Sequence, residues 1–101
     1  MEDLAALLTG EEKKLALEKA VAAYTAALRI HTPESSPVQY ARTQNNLGDA
    51  FKGQAALRSG EEKDRRLALA EKAYTEALRV YTEEEYPDRR RLQLKKIAGL
   101  R

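Results

Sequence analysis

Internal repetition constrains this chain more than any other feature. Residues 8–37, LTGEEKKLALEKAVAAYTAALRIHTPESSP, lie without a gap over residues 58–87, RSGEEKDRRLALAEKAYTEALRVYTEEEYP, after a shift of about 50 positions. Gly10 falls on Gly60, Leu17 on Leu67, Ala20 on Ala70, Tyr24 on Tyr74, Ala27 on Ala77, Leu28 on Leu78 and Pro37 on Pro87. A repeat of this period means stacked supersecondary units, each burying the face its neighbour leaves open.

Within each unit the apolar residues keep helical time. Leu17, Ala20, Val21, Tyr24, Ala27 and Leu28 follow an i, i+3, i+4, i+7 course, as do Leu67, Ala70, Ala73, Tyr74, Ala77 and Leu78. This spacing predicts helices over 12–32 and 62–82. The small residues beside each tyrosine let a neighbouring helix approach around the ring. Between the helices, Pro33 disfavours helix at Thr32, and Ser36-Pro37 reads as an N-cap followed by the first helical residue. A helix over 37–58 follows, with Tyr40, Gln44, Leu47, Phe51 and Ala55 along one side. Ser59-Gly60 ends it, and Glu61-Glu62 opens the next, where acidic residues favour a helix N-terminus. A last helix is expected over 87–100 and a short opening one over 2–8, aligned to the second half of 37–58. With 34% charged residues, 6% aromatics and few β-branched Val and Ile, the chain reads as one all-α domain over 1–101.

Several function classes are disfavoured at this level. A net charge of +2 implies neither nucleic acid nor an acidic membrane as partner. The segment DRRRLQLKK is locally basic, but it lacks interleaved aromatics and follows Glu83, Glu84 and Glu85. With no cysteine there is no disulfide and no thiolate metal site, and no apolar run approaches a membrane span of about 20 residues. The acidic N-terminus is too short for a signal peptide, so a cytoplasmic location is expected. His31 is the only histidine and sits at a helix end, where a surface or capping role is expected. No base stands beside the Ser and Thr residues and no glycine-rich phosphate loop occurs, so neither catalysis nor a cofactor nor a metal is expected.

Leu47, Gly48 and Phe51 in the 37–58 helix, followed by Ala70, Tyr74 and Ala77 in the next, resemble the tetratricopeptide repeat (TPR) signature. Ala20, Tyr24 and Ala27 repeat its second half one unit earlier. The wording TQNNLG is similar to repeats of kinesin light chain and of bacterial TPR proteins. The resemblance covers nearly the whole chain and implies a short αα-hairpin solenoid. Gln44 stands at the family's first-helix tryptophan position, and Thr82 where a closing proline often stands. About ten extra residues between Phe51 and Ala70 lengthen the usual period of about 34, an insertion that a connection absorbs. The last helix reads as a degenerate copy, with Ile97-Ala98 for Leu47-Gly48, and its basic character suits a terminal cap.

The resemblance also implies where a partner sits, since first helices line the family's concave, peptide-holding surface. Arg42, Asn45, Asp49 and Lys52 fall at i, i+3, i+7 and i+10, a polar stripe turned away from Leu47 and Phe51. Asn45 can donate to and accept from an extended peptide backbone, and Arg42 can grip a carboxylate in bidentate fashion. Lys95, one unit on from Asn45, extends the stripe toward acidic ligands. The expected function is therefore non-catalytic: a protein-interaction module binding a peptide segment. The alternative is a repeat fragment, natural or engineered, whose unfinished faces drive homo-oligomerisation.

Overall fold

Four helices follow one another in a computed structural model that describes residues 10–100: α1 (Gly10–Ala27), α2 (Pro37–Ala56), α3 (Gly60–Ala77) and α4 (Pro87–Ala98). No strand occurs among the described residues, and the class is all-α with helices packed as successive hairpins. The helix expected over 2–8 lies outside the described residues. Each helix packs chiefly on its neighbours in sequence. The α2–α3 contact is the most extensive, α1–α2 is next, and α4 rests more lightly on α3.

The alternation of small and large residues explains the closeness of α2 and α3. Ala41, Ala70 and Ala77 are fully buried, and the Tyr74 ring, 1% exposed, lies directly over Gly48. A Cβ at Gly48 would meet Tyr74 Cδ1 and Cε1 at 2.4 Å, a separation that real Cβ atoms do not tolerate. The same device recurs in a looser form between α1 and α2. There a Cβ at Gly53 would meet Leu17 Cδ2 at 3.0 Å. A second cluster joins Tyr40 and Ala41 of α2 to Ala77, Val80 and Tyr81 at the end of α3, with Leu28 and Tyr86 packed against it. Tyr81 and Tyr86 meet edge to face, with ring centroids 5.6 Å apart.

The two halves of the repeat are buried unequally. Ala70, Tyr74 and Ala77 are core residues because α2 covers them, whereas Ala20, Tyr24 and Ala27 at the matching positions of α1 are half-buried. Val80 is 8% exposed, and its counterpart Ile30 is 72% exposed.

The helix ends differ from the sequence expectation. α1 stops at Ala27 rather than 32, and α3 at Ala77 rather than 82. Beyond each, the backbone tightens into i→i−3 bonds: Arg29 N–H to Ala26 O at 3.1 Å and Ile30 N–H to Ala27 O at 3.0 Å, matched by Arg79 to Glu76 and Val80 to Ala77. The threonine five residues past each helix end then closes a turn with its own side chain. Thr32 Oγ1 accepts from Ser35 N–H at 3.0 Å, and Thr82 Oγ1 accepts from Glu85 N–H at 3.2 Å. These hydroxyl bonds shape the turns that lead from α1 into α2 and from α3 into α4. α2 ends at Ala56 rather than 58, and α4 at Ala98 rather than 100. Ser36 occupies the N-cap of α2 and Pro37 its first residue, but the Ser36 hydroxyl makes no capping bond.

Candidate functional site

Burying the Leu47 and Gly48 side of α2 against α3 leaves its polar stripe pointing outward. Arg42, Asp49 and Lys52 are exposed and Asn45 is half-buried. α4 lies across part of this stripe because its own packing is set by Gln93, which is 3% exposed and donates from Nε2 to Tyr74 O at 3.4 Å. Arg90 secures the same face by donating to Tyr81 O at 3.1 Å. Once Gln93 points inward, the residue three positions on faces α2 as well, since a helix turns about 100° per residue.

That residue is Lys96. Its ammonium donates to Asn45 Oδ1 at 2.9 Å and to Asp49 Oδ1 and Oδ2 at 3.3 and 3.4 Å, and it lies 5.6 Å from the centroid of the Tyr74 ring. Tyr74 completes the network by donating its hydroxyl to Asp49 Oδ1 at 2.6 Å. Burial, and then the bond to a carboxylate, hold the Tyr74 hydroxyl well above the ordinary tyrosine range, so it stays a donor. Beside Lys96, a notch of about 60 Å³ opens between Asn45, Tyr81, Arg89, Leu92, Gln93 and Lys96. The Arg89 guanidinium stands 5.6 Å from the centroid of the Tyr81 ring, a cation–π distance.

The sequence-derived residues are therefore distributed as follows. Asn45 and Asp49 come together, joined through Lys96. Arg42 and Lys52 flank them on α2 as exposed cations. Lys95 does not join them: it is exposed on the outer side of α4, beside Asp88, Arg91, Leu92 and Leu94. Matching Lys95 to Asn45 by repeat register is thus corrected, because α4 is rotated by its Gln93 anchor. Lys96 and Arg89 are the residues that the sequence reading missed. The apolar spacing of α4 carries no signal for them, because its inward face is anchored by a glutamine, Gln93.

The repeat residues Leu47, Gly48, Ala70, Tyr74 and Ala77 all serve packing. Phe51 is half-buried in an apolar recess of about 210 Å³ with Leu28, Leu47 and Leu69. His31 is half-buried, and its Nδ1 has no hydrogen-bond partner among the described residues. Among the described residues, no group of three or more His, Cys, Asp or Glu stands in position to hold a metal ion, and no helix is long and apolar enough to cross a membrane.

Compared with protein-family models, curated proteins and solved structures, the chain matches none of them.

Proposed function

We propose that this chain is a TPR-like interaction module that holds a peptide segment of another protein along the face shared by α2 and α4. The observation carrying this reading is the division of α2. One side packs on α3 through Tyr40, Ala41, Leu47 and Gly48, and the other presents Arg42, Asn45, Asp49 and Lys52 beside a notch rimmed by Arg89 and Lys96. Asparagine is a poor helix former, and Asn45 makes sense there as a polar group facing a groove. A cytoplasmic location belongs to the same proposal.

Selection from a peptide library of mixed charge tests it. Recovered peptides should lose binding to Arg42→Ala and Asn45→Ala proteins whose melting is unchanged. Peptides that bind these variants as well as the original protein would show that the partner sits elsewhere. Self-association is the competing reading, supported by the exposed Ile30, Leu92 and Leu94. Light scattering over a range of concentrations separates the two: a stable oligomer favours assembly.

A further inference from the structure

The groove between α2 and α4 contains a carboxylate of its own. Asp49 is the single acidic residue of α2, and it faces the Lys96 ammonium of α4 across the groove. We propose that Asp49 stands in for the carboxylate of an acidic peptide, and that such a peptide binds by taking Lys96 from Asp49. This inference rests on the reading of the α2–α4 face as a peptide-binding surface.

Three observations carry it. First, the internal pair is weakly held: the Lys96 and Asp49 side chains are 30% and 50% exposed. A pair that open to solvent is worth up to about fivefold in an equilibrium constant, so a competing acid can displace it. Second, Lys96 does not depend on Asp49 for its position. Its shorter bond is to Asn45, and it also rests by the Tyr74 ring, so the ammonium stays placed when the carboxylate lets go. Asp49 in turn keeps the Tyr74 hydroxyl as a donor. The exchange therefore breaks one ion pair, with its two long hydrogen bonds, and leaves both groups supported. Third, the surrounding charge favours an incoming acid. Arg42, Lys52 and Arg89 are exposed and have no carboxylate partner among the described residues, and Asp88, the acidic residue of α4, is engaged with Arg91. A nucleic acid fits less well, because Tyr74 and Tyr81 are buried and offer no face on which bases could stack.

The test is a fluorescence-anisotropy titration of labelled octaglutamate, with octaglutamine and a single-stranded oligothymidine as parallel probes. The proteins are the original chain, Asp49→Asn and Lys96→Gln. Asparagine at 49 keeps an acceptor for the Tyr74 hydroxyl, and melting followed by circular dichroism verifies that each variant folds. Asp49→Asn should bind octaglutamate about two- to fivefold more tightly than the original chain. Lys96→Gln should bind it several-fold more weakly, and octaglutamine should not bind. If Asp49→Asn binds no better than the original chain, the exchange is wrong and the groove reading still stands. Failure of all three proteins to bind octaglutamate overturns the acidic ligand, while the mixed-charge library decides the groove separately. Tighter binding of oligothymidine than of octaglutamate overturns the peptide class.

Discussion

The ring of Tyr74 occupies the space that a side chain at position 48 would need, so Gly48 and Tyr74 together set the distance between α2 and α3. Alanine at 48 would bring its Cβ within 2.4 Å of two ring carbons that are themselves fully enclosed. Overpacking of this kind costs about 1–3 kcal/mol, against a helix-propensity gain of up to about 1 kcal/mol. Gly48→Ala should lower stability by about 1–2 kcal/mol, read from the urea midpoint by circular dichroism.

Gly53→Ala provides the contrast. Its Cβ would come nearest to the terminal methyl carbons of the half-buried Leu17, at 3.0 and 3.3 Å. Those methyls can rotate away, so propensity decides and the change should fall within about 0.5 kcal/mol of neutral. A loss as large as that of Gly48→Ala would mean that α1 is seated as tightly as α3.

Gly10 and Gly60 are repeat equivalents with different backbone demands. Gly60, at the joint between α2 and α3, has φ +62°, which side-chain-bearing residues rarely adopt, whereas Gly10 does not share that conformation. Gly60→Ala should cost about 1–2 kcal/mol and Gly10→Ala close to nothing, by the same unfolding measurement.

Tyr40 and Glu76 predict a pH dependence with two arms. The Tyr40 hydroxyl donates to Glu76 Oε1 and accepts from Gln44 Nε2 at 3.2 Å. Burial first, and then the Glu76 bond, raise Tyr40 above the ordinary 10.0. The tyrosine contribution is therefore intact below pH 10 and is lost as pH climbs from there through the folded value. The bond from Tyr40, more than any other cause, lowers Glu76 below the ordinary 4.5. That contribution is present above pH 4.5 and is lost as pH falls through the folded value. Urea midpoints should drop at both extremes. Tyr40→Phe should flatten the acid arm and only part of the alkaline one, since Tyr74 is raised as well.

Glu62 gathers three arginines at the start of α3. Arg66 Nη2 lies 3.0 Å from it, Arg65 Nη1 3.5 Å and Arg58 Nε 3.8 Å, and Arg66 also donates to the buried Gln54. Glu62 is 40% exposed, so Glu62→Gln should cost no more than about 1 kcal/mol. The cost should shrink in about 1 M salt, where the screening length is about 3 Å. A cost that persists in salt would point to the Arg66–Gln54 bond as the part that matters.

The helical class and the packing side of α2 were legible in the sequence because they follow from one periodicity. Gly48 and Tyr74, Ala70 and Ala77 stand where the repeat spacing puts them. Two things were not legible. The early ends of α1 and α3 come with i→i−3 bonds such as Ile30 to Ala27 and Val80 to Ala77, which an apolar pattern does not record. The crossing of Lys96 to Asn45 depends on how α4 is rotated, and that rotation is set by a glutamine acting as a core residue. Register alone pointed to Lys95, which lies about 100° away round the same helix.

The unequal seating of the helices also bears on the order in which the chain assembles. Contacts run mainly between successive helices, so little entropy is lost in closing long loops and folding should be fast. The α2–α3 hairpin, with the widest contact, is the natural nucleus, and α4 docks onto it afterwards. Substitutions in α4 should then speed unfolding and leave the folding rate nearly unchanged, with φ-values near zero by stopped flow and higher ones at Ala41 or Ala77. The helix that completes the groove would thus be the last to arrive and the first to leave.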